Sequence, residues 1–255
     1  MLWGIILGGG AALLSYRLRL LTGSGAVAMF ALAVPIFGYG GWMWTVPIVV
    51  FFVFSNLLSK VGKAQKQQFH LVFEKSDQRD AWQVMANGGV AGVVAVYYAV
   101  SGDGATFPIY CTALAAASAD TWATELGTLA RGTPRLVTTF RQVPAGTSGG
   151  VTLTGLLSSL AGSFLVALSG WLFVGTVTTL VMVSLCGLAG SLVDSVLGAT
   201  VQAQYRCDDC GKVTERRVHC EQSTGRISGL AWMNNDWVNI LGIAGAVGLA
   251  VVIMG

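Results

Sequence analysis

Residues 151–201 read VTLTGLLSSLAGSFLVALSGWLFVGTVTTLVMVSLCGLAGSLVDSVLGATV. This stretch contains no Lys or Arg, and its one acidic residue is Asp194. It divides into two apolar runs, 151–173 and 176–201, each long enough to cross the hydrocarbon core of a bilayer, which takes about 20 helical residues. A backbone surrounded by lipid must satisfy its own hydrogen bonds, so runs of this length predict membrane-spanning α-helices.

The rest of the 255-residue chain has the same character. Charged residues make up 11% and hydrophobic residues 54% of it, whereas a soluble domain has roughly 25% charged residues. Six more apolar runs cover residues 2–16, 24–39, 42–58, 81–100, 107–130 and 236–253. The sequence therefore predicts an all-α fold, a polytopic transmembrane helical bundle formed by one integral membrane domain over residues 1–255. About eight segments are expected, or seven if one of the two short N-terminal runs does not span.

Positive charge is confined to alternate connections between these runs. All 15 Lys and Arg residues fall in the connections at 17–23, 59–80, 131–150 and 202–235. The connections on the other side carry a single charged residue, Asp103. Because Lys and Arg accumulate in cytoplasmic loops, we expect a multi-pass protein with these four loops cytoplasmic, both termini outside and no cleavable signal peptide. Topology thus accounts for the net charge of +3, and no nucleic-acid partner is expected.

Four carboxylates lie inside the apolar runs or at their edges: Asp120, Glu125, Asp194 and Asp236. Acids are costly in a bilayer and usually mark functional sites. Carboxylate oxygens suit a hard divalent cation, and Mg²⁺ binds through one or two carboxylates together with water and substrate phosphates. The alternative is that individual acids pair with Arg or cap helix ends. Amide side chains that could add oxygen ligands or hydrogen bonds nearby are Asn87, Asn234, Asn235 and Asn239.

The connection at 132–150 reads GTPRLVTTFRQVPAGTSGG. Glycine-rich backbone amides and hydroxyls before a helix can bind phosphate oxygens, and Arg adds bidentate donors. This pattern favours a phosphate-bearing ligand. The alternatives are that the glycine-rich stretch is only a flexible turn before a helix, that Arg79 is an interface anchor, and that Lys60 extends its charge to the membrane interface from a helix end. The candidate phosphate contacts are Lys60, Arg79, Arg135, Arg141, Gly146, Thr147, Ser148 and Gly149.

A cysteine and histidine cluster lies in the last basic connection, predicted as a cytoplasmic loop over 202–233. Its members are Cys207, Cys210, His219 and Cys220. Three thiols and one imidazole match the ligand number of a closed, structural Zn²⁺ site, and a cytosolic loop is too reducing to favour a disulfide. The alternatives are reduced thiols or a redox pair.

The motifs SADTWATELG at 118–127, Pro134-Arg135, GTSGG at 146–150 and NND at 234–236 together identify a family resemblance. The chain resembles the phytyl-phosphate kinase family of integral membrane proteins, which serves prenyl salvage for tocopherol and phylloquinone. The resemblance extends from Ser55 to Asn239. It implies phosphoryl transfer from a nucleoside triphosphate, with CTP as one candidate, to an isoprenoid monophosphate such as phytyl phosphate, giving the diphosphate.

This activity implies roles for the candidate residues. The four carboxylates would be catalytic and hold Mg²⁺, and the cations would bind phosphates. Phosphoryl transfer needs mainly positioning and charge neutralisation, which such a set can supply. Two other classes stay open: an ion or small-molecule transporter, and a lipid-alcohol kinase or lipid cytidylyltransferase. A transporter is expected to show repeated halves, and no second copy of the Asp-Thr or Gly-Thr-Ser-Gly-Gly patterns is present.

Overall fold

The computed structural model describes residues 1–62, 78–129 and 132–254. Seven α-helices in this part of the chain form a single bundle, which confirms the predicted all-α class. They are α1 Leu2–Arg17, α2 Gly23–Lys60, α3 Ala81–Ser101, α4 Thr106–Gly127, α5 Leu153–Val174, α6 Val177–Thr200 and α7 Asn235–Met254. Five of them, α2, α3, α5, α6 and α7, are long and apolar enough to cross a membrane within the described residues.

Helix α2 contains two of the predicted runs, because the chain reverses direction within it. Gly41 has φ 59° and ψ −155°, which breaks the helix. The nitrogen of Met1 lies 3.5 Å from the carbonyl oxygen of Gly38, so the first half pairs with α1. A straight helix of 38 residues would be about 57 Å long. The two ends of α2 instead lie close together: Thr22, which caps its start, is hydrogen-bonded to Arg79, and Lys60 at its end lines the same cavity as Arg79. Each of the eight apolar runs therefore corresponds to helical structure.

Helix α4 occupies the centre of the bundle and packs against α2, α3, α5, α6 and α7. Its residues 110–119 are all buried. Small side chains, mainly alanine, let the surrounding helices approach, as in other membrane bundles. This central position explains why α4 is less apolar than its neighbours: it is covered by protein and not by lipid.

Aromatic rings fill the half of the bundle that lies away from the predicted cytoplasmic loops. Trp44 stacks on Tyr98 with ring centroids 4.7 Å apart and also contacts Phe107 and Tyr110. The Tyr110 hydroxyl donates a 2.7 Å hydrogen bond to the Trp44 carbonyl. Tight apolar packing therefore closes this half.

Two connections contain short strands that the sequence analysis did not anticipate. In the first, β1 Arg135–Leu136 pairs antiparallel with β2 Gly150–Val151. The second contains the strands β3 Gln204–Arg206, β4 Val213–Thr214, β5 Val218–His219, β6 Gln222–Ser223 and β7 Gly225–Ser228, paired antiparallel in the order β4-β3-β7 and as a β5-β6 hairpin.

All four predicted basic connections meet at one end of the bundle, which we call the basic end. Arg19 of the first connection, Lys60 and Arg79 of the second, Ser148 of the third and Glu215 of the fourth line a common cavity. Lys63, Lys66, Lys75 and Arg131 lie outside the described residues. The membrane side on which the basic end lies remains a prediction.

Candidate active site

A polar cavity of about 700 Å³ opens at the basic end. It lies between the ends of α2, α3, α4, α5, α6 and α7 and is bordered by the glycine-rich connection. The lining residues that the sequence analysis singled out are Lys60, Arg79, Asn87, Asp120, Glu125, Gly146, Thr147, Ser148, Gly149, Asp194, Asn235 and Asn239. Most of the predicted site therefore converges on one space.

The floor of the cavity combines two carboxylates with two amides. Asp120 of α4 and Asp194 of α6 interact directly through their carboxyl groups. Asn87 of α3 and Asn239 of α7 complete the floor, so four helices each contribute one side chain. Below them the space narrows between Ala116, Gly190 and Gly242 until it no longer admits water. The floor is thus the closed end of the cavity.

Helices α6 and α7 must approach closely to build this floor. A Cβ atom at Gly190 would come within 2.8 Å of Ala116 and Ala246 and within 3.1 Å of the Gly242 carbonyl. Asp194 lies one turn after Gly190, and Asn239 one turn before Gly242, so the glycine contact brings these polar side chains together. A larger residue at 190 would separate them.

The floor has the chemistry that a divalent cation requires. Asp194 Oδ2 and Asn239 Oδ1 are buried and have no hydrogen-bond partner among the described residues. Buried polar atoms are normally paired, and unpaired ones call for an explanation such as an ion or water. Two adjacent carboxylates would also repel each other in this low-dielectric setting unless a proton or cation lay between them. The donor set of Asp120, Asp194, Asn87 and Asn239 fits Mg²⁺, which prefers oxygen ligands.

Arg79 is held in place by the backbone around it. Its N–H donates to the Leu20 carbonyl at 3.1 Å, and its carbonyl accepts from the Thr22 N–H at 3.0 Å. The next residue, Asp80, caps α3 through a capping box with Gln83. Burial lowers the pKa of Arg79, and the nearby Glu125 carboxylate opposes that shift. Arginine stays protonated at neutral pH, so Arg79 is a fixed positive charge at the cavity.

Besides the carboxylates of Glu125 and Glu215, the cavity lining above the floor contains several groups that favour anions. Arg19 and Lys60 line it from the connection after α1 and the last turn of α2. The first turn of α5 also faces it through Thr152, which caps this helix by accepting from the Gly155 N–H at 2.9 Å. A helix N-terminus carries partial positive charge and free N–H groups, which makes it a site for phosphate.

The glycine-rich connection lies against α6 at the cavity wall. Gly149 has φ +76°, and a Cβ atom there would come within 2.5 Å of Ala199 and 2.6 Å of the Ser195 carbonyl. Only glycine fits this conformation and this contact. This contact holds Thr147 and Ser148 at the cavity, where their hydroxyls donate to the Pro144 carbonyl at 2.7 Å and to Glu215 Oε1 at 2.9 Å.

Two residues of the predicted Asn234-Asn235-Asp236 motif do not line the cavity. Asn234 caps α7, since its Oδ1 accepts from the Trp237 N–H at 3.2 Å. Asp236 is 5% exposed and lies outside the lining. The helical period explains this outcome: Asn235 and Asn239 share one face at i and i+4, and Asp236 is rotated about 100° from Asn235.

Arg135 and Arg141 also lie outside the cavity lining. Both are exposed. The Arg135 guanidinium donates a 2.9 Å hydrogen bond to the Phe140 carbonyl, and the Arg141 carbonyl accepts from the Leu136 N–H. The β1-β2 pairing therefore fixes their connection without directing these two arginines into the site.

Several lining residues were not identified from the sequence. They are Arg19, Gln83, Thr121, Thr124, Ser195, Gln202 and Glu215. Arg19 was counted only as a topological charge, and Glu215 lies far from the other acids along the chain. Nothing in local spacing indicates that Glu215 reaches the cavity. By contrast, Thr124 shares a helix face with Asp120, and Thr121 with Glu125, at i, i+4, so both were recognisable from the helical period.

The four predicted zinc ligands come together outside the cavity. Their ligand atoms all lie within 4.8 Å of one another. Cys210 Sγ and Cys220 Sγ are 3.5 and 3.1 Å from His219 Nδ1. A hydrogen bond from the Cys210 backbone N–H lowers the pKa of the Cys207 thiol to about 7, whereas local desolvation of the sulfur, together with the neighbouring Cys210 and Cys207 thiols, raises the pKa of Cys220 to about 11. The predicted convergence of the cluster is thus seen in the structure.

These features define a polytopic helical membrane protein with a polar, two-zone cavity at one end of its bundle. The chain belongs to the family described as integral membrane protein DUF92, whose model matches residues 6–247. The match covers nearly the whole bundle and includes every residue of the cavity. It confirms the family relationship predicted from the motifs.

Similar proteins come from plants and archaea. Protein PGR of Arabidopsis thaliana is 32% identical over 95% of this chain and 92% of its own length. An uncharacterized membrane protein of Methanocaldococcus jannaschii is 32% identical over 74% of this chain and 77% of its own length. The chloroplastic protein VTE6 of Arabidopsis thaliana is 26% identical over 88% of this chain and 62% of its own length. No solved structure is significantly similar to the chain.

Proposed function

We propose that this protein is a membrane-embedded, Mg²⁺-dependent phosphotransferase. It would transfer a phosphoryl group from a nucleoside triphosphate, with CTP as the first candidate, to an isoprenoid monophosphate such as phytyl phosphate, and release the prenyl diphosphate. The acceptor is the one implied by the family resemblance.

The observation that carries this proposal is the division of one cavity into two zones. Its floor holds Asp120 and Asp194, and two buried oxygens there, Asp194 Oδ2 and Asn239 Oδ1, have no hydrogen-bond partner in the part of the chain that the structure describes. Its rim holds Arg19, Lys60, Arg79 and the N-terminus of α5. Acidic oxygens beside cationic groups are what a metal-bound polyphosphate requires: the acids bind the ion, and the cations and amides bind the phosphate oxygens. Neither zone alone would favour phosphoryl transfer.

The chain's own residues would act mainly by positioning. Mg²⁺, when bound, would neutralise phosphate charge; Asp120 and Asp194 would hold it, with Asn87 and Asn239 adding oxygens. Arg79, Lys60 and the backbone amides at 146–149 would orient the phosphates. An oxygen of the acceptor monophosphate would attack the terminal phosphorus, and the bond to the bridging oxygen would break with release of the nucleoside diphosphate. The acceptor oxygen is already anionic near neutral pH, so no strong general base is required.

The shape of the bundle favours an enzyme site over a transport pathway. The cavity ends at the narrow crevice beside Ala116 and Gly190. Beyond it lie the buried alanines of α4 and the aromatic cluster around Trp44. A transporter needs a polar site near the membrane midplane that alternates between both sides. A cavity closed below its floor supports chemistry at one membrane boundary, where a lipid phosphate lies.

The proposal is tested with the purified chain in detergent, Mg²⁺, a panel of nucleoside triphosphates and a panel of prenyl monophosphates. The expected result is prenyl diphosphate and nucleoside diphosphate in equal amounts, with no product when Mg²⁺ is chelated. Asp103→Asn is the matched control for acid substitutions, because Asp103 is exposed at the other end of the bundle.

Other outcomes would overturn the proposal in distinct ways. A nucleotidyl-lipid together with pyrophosphate would identify a cytidylyltransferase, and phosphorylation of the free prenyl alcohol would identify a lipid-alcohol kinase. Ion or solute flux in proteoliposomes, without product from any substrate pair, would identify a transporter.

A further inference from the structure

We propose that Cys207, Cys210, His219 and Cys220 bind one Zn²⁺ ion, and that this zinc site positions Glu215 against the glycine-rich wall of the cavity. The zinc site itself stands independently of the proposed function. Only the consequence for phosphate binding depends on the cavity being a phosphotransferase site. Glu215 is a positioning residue in this scheme.

The ligands come from two turns that face each other. Cys207 and Cys210 belong to the turn between β3 and β4, where the Cys207 N–H donates to the Lys212 carbonyl and the Gly211 N–H to the Cys207 carbonyl. His219 and Cys220 belong to the β5-β6 hairpin, whose turn residues Cys220 and Glu221 have positive φ. Each turn contributes two ligands, which is the usual construction of a closed zinc knuckle.

The spacing of the ligand atoms suits a tetrahedral ion. Zn–S and Zn–N bonds of about 2.3 and 2.0 Å place neighbouring ligand atoms roughly 3.5–3.8 Å apart. The four ligand atoms here lie within 4.8 Å of one another before any ion is added. Zn²⁺ binds cysteine as thiolate and would offset the repulsion among the three sulfurs, whereas a disulfide would use only two of the four side chains. Zn²⁺ uses all four.

Glu215 lies between the two ligand turns in the sequence and reaches away from them into the cavity. It directly follows β4 Val213–Thr214. One of its carboxylate oxygens, Oε1, accepts from Ser148 Oγ at 2.9 Å and from Gln202 Nε2 at 2.8 Å. Its negative charge also acts on Asp194. The zinc turns on both sides of Glu215 therefore determine where this carboxylate lies.

The contact with Ser148 connects the zinc site to the phosphate-binding wall. Ser148 precedes Gly149, whose close packing on α6 holds the connection at the cavity. Hydrogen bonds to a charged acceptor are stronger than neutral ones. Without zinc, the turns on both sides of Glu215 would no longer be held together. Residues 145–150 would then lose the hydrogen bond from Ser148 to Glu215. Removal of zinc should therefore loosen a segment of the chain that contains no zinc ligand.

The first experiment measures zinc by elemental analysis of the full chain, purified in detergent without chelator. We expect about one zinc per chain, loss of zinc in Cys207→Ser and Cys220→Ser, and full zinc in Cys186→Ser, whose thiol is buried in α6. No zinc in the native chain, unchanged zinc in Cys207→Ser, or a disulfide between cluster cysteines in the intact mass would overturn the zinc site.

The second experiment measures hydrogen exchange of residues 145–150, a readout that needs no substrate. Chelation of zinc and Glu215→Ala should each accelerate exchange there by roughly tenfold or more, the effect of losing one charge-assisted hydrogen bond. Glu215→Ala should keep its zinc. Glu215→Gln should restore part of the slow exchange, because its amide oxygen still accepts from Ser148 but as a neutral and weaker acceptor.

The coupling fails if chelation changes exchange only within 204–228, or if Glu215→Ala leaves residues 145–150 unchanged. Both measurements are independent of turnover. If the chain binds zinc and shows the coupling but has no kinase activity, only the proposed function is wrong. If it has kinase activity but shows no coupling, only the zinc coupling is wrong.

Discussion

Asp120 and Asp194 show how single residues define this site. They are 74 positions apart in the sequence and belong to different helices, yet their carboxyl groups interact at the cavity floor. Asp194 Oδ2 lacks a hydrogen-bond partner among the described residues, which is costly for a buried polar atom. Two adjacent acids lower the stability of the bundle when no ligand is bound, because their charges repel each other. Binding of an ion or a substrate therefore explains such a pair better than a role in stabilising the fold.

Asp120→Asn tests the role of this pair in the proposed reaction. The amide keeps the volume but removes the charge that would hold Mg²⁺, so turnover should fall by at least about 100-fold, the scale of losing one charge-stabilising group. The thermal unfolding midpoint should not fall, because a repulsive pair is relieved. Product formation at saturating Mg²⁺ and a thermal melt measure both effects. A rate within a few-fold of the native chain would remove Asp120 from the site.

Asn234 and Asn239 offer a matched comparison at neighbouring positions of α7. Asn239→Ala removes an oxygen from the floor and should raise the half-saturating Mg²⁺ concentration roughly tenfold or more. Asn234→Ala removes a helix cap and should lower the free energy of unfolding by about 1 kcal/mol. Mg²⁺ titrations of turnover and unfolding curves of both variants provide the measurement. If the two variants shift the same quantity, the separation of roles is wrong.

At the scale of elements, the connection between α4 and α5 determines the wall of the cavity. Its β1-β2 pairing and the packing of Gly149 on α6 fix the backbone at 146–149. The N-terminus of α5 follows directly, so one continuous segment brings the backbone of a turn and a helix end to the same space. Such an arrangement binds anions through backbone groups, with few charged side chains.

Gly149→Ala tests the wall without touching a polar side chain. A left-handed backbone costs alanine about 1–2 kcal/mol, and the new Cβ would clash with Ala199. The connection should therefore shift, and the KM for the nucleotide should rise by roughly tenfold or more. Gly132→Ala is the control in the same connection, since a Cβ there meets no atom of the described residues within 4 Å. Equal kinetics of the two variants would show that Gly149 does not hold the wall.

At the scale of the whole molecule, the bundle separates a packed end from a polar end. Buried aromatic side chains fill the end that carries Asp103, and the basic connections surround the cavity at the other. Charges attract phosphates, and they also set the orientation during membrane insertion. In the proposed function, Arg19, Lys60 and Arg79 would therefore serve both membrane orientation and phosphate binding.

The predicted orientation can be measured by labelling introduced cysteines with a membrane-impermeant maleimide in intact cells. Asp103→Cys should be labelled before permeabilisation, and Lys212→Cys only after it, because the basic connections are expected in the cytoplasm. The native chain is the background control for its own exposed cysteines. Labelling of Lys212→Cys in intact cells would show that the orientation is opposite to the predicted one.

Local signals in the sequence were sufficient for the elements and for part of the site. Run length predicted the helices, and the rarity of acids in apolar runs singled out Asp120 and Asp194. The same signals failed for Asp236, Arg135 and Arg141, which are close to site residues in the sequence but do not line the cavity. Their positions depend on helix rotation and on strand pairing, which no short motif specifies.

The amino-acid sequence by itself determined that this chain is a helical membrane bundle with its charges at alternate connections, because run length and charge act locally and a bilayer admits few backbone solutions. Only the tertiary structure decided that Asp120 meets Asp194 and that Glu215 reaches Ser148. These contacts join residues far apart in the chain. They depend on how closely α4, α6 and α7 pack and on how two small turns converge.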